Sequence, residues 1–171
     1  PWNEKISDLN NVLDLDDSRL LYGIADTKGN AHLTNGEILD ISDEDYFRKA
    51  LKKQSFVTDP IESSVFKGEM IIVYSTPVLS DNGNVAAVLF LEKNAKFLSE
   101  RMNDVHVSDG ANLFMISTLT GNTVADGANY QNVKSYQNII NQTSSNKEYK
   151  GLSEQVTKMK NKENGVGTFK L

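Results

Sequence analysis

The order of apolar and polar positions divides the chain into short helical and extended stretches. Residues 2–20 carry Ile6, Leu9, Val12, Leu13 and Leu20 at helical spacing, which predicts an amphipathic helix. Nothing at its start reads as an N-cap, so the helix is expected to continue upstream. Residues 20–25 are rich in strand formers and lead through Asp26-Thr27-Lys28-Gly29-Asn30 to a return strand at 31–34. Gly29 supplies the positive φ such a turn needs. Ser42 stands three residues before Asp45, approximating a capping box, and Asp43, Glu44 and Asp45 load a first helical turn with negative charge. Tyr46, Phe47, Ala50 and Leu51 form the apolar stripe of that short helix, with Arg48, Lys49, Lys52 and Lys53 as its solvated face. A strand is predicted at 55–58, ended by Asp59-Pro60. Two strong strands follow at 69–78 and 84–91, joined by a loop containing Asn82-Gly83, and a helix at 93–105 leaves the second of them.

After Gly110 the pattern restarts. A strand at 112–117, a turn with Gly121 and a partner strand at 123–126 echo residues 22–32, a repeat of supersecondary structure without sequence repetition. Residues 127–150 are polar, with a short helix predicted over 133–141. Residues 151–162 form another amphipathic helix, and 167–171 read as the opening of a strand, so the second unit is expected to stop before its strong hairpin.

Composition limits the function classes. With 171 residues, 39% hydrophobic and 24% charged, the chain can bury a core as one domain or two small ones. Its longest apolar run, 85–91, is far short of the roughly 20 residues of a membrane-spanning helix. No basic stretch followed by an apolar run reads as a signal peptide within these residues. The absence of cysteine removes disulfides and thiolate chemistry, and two histidines, His32 and His106, are too few for a multi-histidine metal site. No metal or cofactor is expected. The net charge of -5 argues against nucleic acid as a partner. Residues 1–110 hold 11 basic and 19 acidic side chains, a balance of -8, whereas 111–171 hold 7 and 4, a balance of +3, which suggests two units. There is no G-x-S-x-G elbow or phosphate loop, and the helix macrodipole alone accounts for the acidic trio at 43–45. Catalysis is not expected.

The segments 41–51 (ISDEDYFRKAL), 57–61 (VTDPI), 70–78 (MIIVYSTPV) and 85–92 (VAAVLFLE) together resemble the extracellular double Cache, PAS-like sensor domains of bacterial chemoreceptors, histidine kinases and diguanylate cyclases. The resemblance covers residues 20–100 and extends more loosely over 112–126. It implies an α+β fold: an N-terminal helix (1–19), a membrane-distal unit with an antiparallel five-stranded sheet (20–105) and a partial membrane-proximal unit (106–171). It implies a small-molecule ligand, amine or amino-acid-like, a location outside the cell or in the periplasm, and membrane attachment through segments outside this chain. In amino-acid-binding members, an Arg two residues before an aromatic pair grips the ligand carboxylate, and an Asp at the end of the last strand holds the ammonium. Here the pair is Tyr46 and Phe47, Glu92 stands near the Asp, and the Arg position falls on Glu44, which repels a carboxylate.

The ligand candidates are therefore Tyr46, Phe47, Asp59, Tyr74, Thr76 and Glu92. Each also has a plainer reading. Tyr46 and Phe47 point about 100° apart on a helix and can divide between capping the sheet and filling the core. Tyr74 and Thr76 share one strand face with Ile72 and can serve cross-strand packing. Asp59 can simply begin a turn before Pro60, and Glu92 can be a solvated strand end. The expected site lies between the short helix and the sheet face carrying Tyr74. The expected response is a shift of the strands against the N-terminal helix, through which Ile6, Leu9 and Leu13 can also form a homodimer. The alternative is a non-sensing dimerisation or protein-interaction module on the same fold, recognised by a collapsed apolar interior where a sensor has a polar pocket. A cytosolic PAS-type domain is a third option, disfavoured by the N-terminal helix and the second repeat.

Overall fold

A computed structural model describes residues 2–13, 15–105, 107–142 and 147–169. The chain divides into two compact units, Pro1–Ala95 and Lys96–Leu171. His106 and residues 170–171 lie outside the described residues.

The first unit begins with α1 (Trp2–Leu13), whose Ile6, Leu9 and Leu13 are half-buried and which packs against β1 (Arg19–Ala25). The chain between them is pinned by Asp16. Its carboxylate accepts from Ser18 and pairs with Lys93 Nζ at 2.8 Å, contacts that hold its pKa well below the ordinary carboxylate range. Then come β2 (Asn30–Leu33), β3 (Ile38–Asp40), α2 (Asp45–Leu51), β4 (Phe56–Val57), β5 (Ile61–Glu62), β6 (Met70–Leu79) and β7 (Val85–Asn94). The strands form one antiparallel sheet in the order β3-β2-β1-β7-β6-β4, with β5 also on β6. The five expected strands are all present, and β3 and β5 add two short ones. Gly29 has φ +100°, as its turn demands, and the β6–β7 loop closes through Gly83 at φ +77°.

Period-two alternation sorts the sheet into two faces. In the register, Leu21, Glu92 and Val73 stand side by side across β1, β7 and β6, and Gly23, Phe90 and Ser75 form the next row on the same, inner face. α2 covers this face with Tyr46, Phe47 and Ala50, closing a core that includes Leu21, Leu33, Val73, Val88 and Phe90. Gly23 is required there. A Cβ at this position would lie 2.2 Å from Cζ of the Phe90 ring. The outer face carries Tyr22, Leu91 and Tyr74 in one row, with Leu89 and Thr76 beside each other in the next.

The expected capping box does not form. α2 starts at Asp45 after Glu44 as N-cap, so Ser42 falls outside the helix, and its amide donates to Asp40 Oδ1 at 2.9 Å. The Arg48 guanidinium folds back onto Ser42 O (3.2 Å) and pairs with Asp43. Lys49 lies over the Phe56 ring, 3.4 Å from its centroid.

The second unit holds α3 (Lys96–Asn103), the two-stranded sheet of β8 (Phe114–Ile116) and β9 (Thr123–Asp126), α4 (Gln131–Lys134), α5 (Ile139–Gln142), a 3-10 turn (Lys147–Tyr149) and α6 (Lys150–Lys160). Ala125, Val133, Ile139 and Val156 are its buried residues of largest apolar character. The single helix expected over 133–141 is instead two short ones, because Tyr136 adopts φ +50° and breaks the helical path. The described part of 161–169 contains no strand. Among the described residues, no helix is long and apolar enough to cross a membrane.

Candidate functional site

Glu92 is the charged residue that the fold treats least like a surface group. β7 continues to Asn94, so Glu92 lies inside the strand, flanked on the inner face by Leu21 and Val73, each 1% exposed. Glu92 itself is 3% exposed. Its Oε2 accepts one hydrogen bond, from Ser63 Oγ at 3.2 Å. Burial pushes its pKa up to about 7; the Ser63 bond pulls the other way, and the negative charge of Glu44 adds to the rise. A buried carboxylate with one neutral donor costs several kcal/mol relative to water when ionised. Such an arrangement is more common where a polar interior serves a task than where only packing is needed.

Tyr46 enters the same region from α2. It is 5% exposed, its ring stands 5.7 Å from that of Phe90, and its backbone carbonyl accepts from Ser75 Oγ at 3.0 Å. Burial, then the charges of Glu44 and Glu92, raise the pKa of its phenol and keep the proton on. Among the described residues, none hydrogen-bonds the Tyr46 hydroxyl. The exposed Glu44 at the N-cap of α2, the buried Glu92 and the Tyr46 phenol therefore share one electrostatic neighbourhood. Its net negative character suits a positively charged group and opposes an anion.

Three of the six sequence candidates meet on the inner face: Tyr46, Phe47 and Glu92. Phe47 is 2% exposed and fills the core. The other three do not join them. Tyr74 pairs with Leu91 and Thr76 with Leu89, so both side chains stand on the outer face, away from α2. The expectation of a pocket between the short helix and the Tyr74 face is corrected by this register: one residue's step along β6, from Val73 to Tyr74, reverses the face. There Tyr74 and Thr76 line a shallow apolar hollow of about 190 Å³ with Tyr22, Leu89 and Leu91. Thr76 Oγ1 lies 2.9 Å from Ser55 Oγ. Asp59 is exposed between β4 and β5, just before the buried Pro60. His32 is half-buried on β2, and the described residues contain no group of three metal-ligating side chains.

Sequence reading missed Ser63. It stands 29 positions from Glu92, and only the β5–β6 and β6–β7 pairings bring the two together. A second hollow, of about 320 Å³, lies within the second unit between α6 and residues 163–169, lined by Leu152, Val156, Met159 and Phe169 among others.

No protein-family model matches the chain, and no curated protein matches it in sequence. Solved structures do match in fold, among them extracellular sensory and ligand-binding domains of receptors. The sensory domain of the Campylobacter jejuni chemoreceptor Tlp3 (CcmL) with isoleucine bound is 20% identical, with a TM-score of 0.55 over 86% of this chain and 62% of that one. The extracellular domain of mmHK1S-Z2, described as a histidine kinase, is 11% identical, with a TM-score of 0.67 over 95% of this chain and 69% of that one. An extracellular ligand-binding receptor from Desulfohalobium retbaense is 16% identical, with a TM-score of 0.61 over 74% of this chain and 24% of that one. A Tlp3 ligand-binding domain in complex with 4-methylisoleucine is matched over 50% of its length. The chain therefore has the α+β fold of these sensory domains and spans about half to two-thirds of the chemoreceptor domains it matches.

Proposed function

We propose that this chain is part of the extracellular ligand-sensing region of a bacterial membrane signal-transduction receptor, and that its first unit binds a small organic molecule on the inner face beneath α2. The fold shared with chemoreceptor and histidine-kinase sensory domains supports the class. The observation that carries the site is Glu92: an almost fully buried carboxylate between two aliphatic side chains, close enough to the Tyr46 phenol to raise its pKa. Isoleucine and 4-methylisoleucine are bound in the Tlp3 structures. Here Glu44 and Glu92 favour an amine over a zwitterionic amino acid, because a ligand carboxylate would meet two like charges.

The same strand offers a route for the signal. β7 presents Glu92 inward and the next residue, Lys93, outward to Asp16, which lies in the segment between α1 and β1. A ligand that displaces β7 moves this tether and, with it, the base of α1. Ligand binding shifts the balance only to the extent that it prefers one arrangement over the other. Membrane attachment belongs to segments outside this chain, and a homodimer through the Ile6, Leu9 and Leu13 stripe is part of the proposal.

The test is a thermal-shift series on matched compounds: 3-methylbutylamine, L-leucine and 4-methylpentanoate, with a wider panel of amines, amino acids, organic acids and nucleobases. A binder raises Tm by mass action. The expected result is stabilisation by an amine, lost in Glu92→Gln. If no compound of any class raises Tm, sensing in these residues is contradicted and the protein-interaction module is favoured. Stabilisation by leucine alone keeps sensing and removes the amine preference.

A further inference from the structure

We infer that Ser63 and Glu92 form a proton-operated latch fastening the 63–69 loop to β7, and that the cationic ligand and a proton compete for its carboxylate. The second half rests on the ligand reading above; the first half rests on this chain alone.

The geometry is that of a fully engaged hydroxyl. Ser63 Oγ accepts from the amides of Val65 (3.2 Å) and Phe66 (3.0 Å), which shapes the loop turn, and spends its one proton on Glu92 Oε2. Val65 and Phe66 in turn pack on the core. One oxygen thus ties the loop's backbone, two of its apolar anchors and the buried carboxylate together. When Glu92 is ionised, the Ser63 bond is charge-assisted; when Glu92 is protonated, the bond is between neutral groups and roughly half as strong. Ser63 cannot take the new proton without releasing one of the loop amides.

Burial and the Glu44 charge raise the pKa of Glu92, and the Ser63 hydroxyl is the group that opposes them. α2 contributes Glu44 and Tyr46, the loop contributes Ser63, and β1 and β6 contribute Leu21 and Val73, neither of which titrates. None of these supplies a cation. Burial and the Glu44 charge bring the pKa to about 7, where ordinary changes of external pH alter its occupancy. An ammonium group arriving beside Glu92 restores the missing counter-charge and expels the proton.

The experiment is an NMR titration of the protein labelled with 13C at glutamate carboxyls and 15N at amides, without ligand and then with 3-methylbutylamine. The Glu92 signal is assigned from Glu92→Gln. The latch predicts a Glu92 midpoint within about one pH unit of 7, and Val65 and Phe66 amide shifts that follow the same midpoint. It also predicts that Ser63→Ala raises the midpoint and uncouples those amides. A midpoint below about 5, or amides that do not move with it, overturns the latch whether or not a ligand exists. Addition of the amine is expected to lower the midpoint; an unchanged midpoint overturns the competition and leaves the ligand-free result standing.

Discussion

The two faces of the seven-stranded sheet use similar side chains to different ends. Each has a tyrosine against apolar neighbours: Tyr46, brought by α2, over Phe90 on the inner face, and Tyr74 beside Leu91 on the outer. On the outer face Tyr74 is half-buried and Thr76 exposed, so their hydroxyls reach water and place no demand on the fold. On the inner face a helix closes over the sheet, and every polar atom there must be satisfied by protein, trapped solvent or ligand. The difference is enclosure, not residue type. A carboxylate at the exposed Thr76 position would be one more surface charge; on the inner face, burial pushes the pKa of Glu92 up to about 7.

This contrast can be broken experimentally. The largest effect is expected from Phe90→Ala, which removes the ring at the centre of the inner row and lowers stability by about 4 kcal/mol, against well under half that for Leu89→Ala on the outer side; chemical denaturation measures both. Next is pH. The folded carboxyl of Glu92 titrates near 7 and an unfolded one near 4.5, so between these values the folded state holds more protons than the unfolded. Unfolding free energy from this group therefore falls as pH rises from 4.5 to 7, by up to about 3 kcal/mol, and stays at its lower level above. Glu92→Gln flattens that part of the stability profile. Gly23→Ala, which drives a methyl into the Phe90 ring, costs about 2 kcal/mol in the same assay. Thr76→Val on the outer face changes stability by less than about 0.5 kcal/mol; a loss as large as that of Gly23→Ala would erase the distinction between faces.

Much of the architecture is legible in the sequence because long strands and helices repeat a period. β6 and β7 stand out as apolar runs joined by Asn82-Gly83, and β9 occupies the expected 123–126. Elements too short to show a period escape, as β3 and β5 do with three and two residues. The helix expected over 133–141 fails for a local reason, the left-handed backbone at Tyr136, which no residue-type preference announces for a tyrosine.

The site is less legible than the fold. Glu92 follows the apolar run 85–91 and so looks like the point where a strand meets water. β7 runs two residues further, and the neighbours that bury Glu92 come from strands 19–25 and 70–79. Ser63 reaches Glu92 only through tertiary pairing. Tyr74 and Thr76 stand out in the sequence because they alternate with apolar residues; alternation identifies a shared face but not which face a helix covers.

The central claim is that a small cation binds against Glu92 on the inner face. Calorimetric titration of 3-methylbutylamine into the protein and into Glu92→Gln, Tyr46→Phe and Tyr74→Ala tests it most directly. The account predicts binding to the unaltered protein, loss of at least about tenfold in affinity (about 1.4 kcal/mol) in Glu92→Gln and a smaller loss in Tyr46→Phe, with Tyr74→Ala unchanged. Affinity that survives Glu92→Gln but is lost in Tyr74→Ala would contradict it and move the site to the outer face.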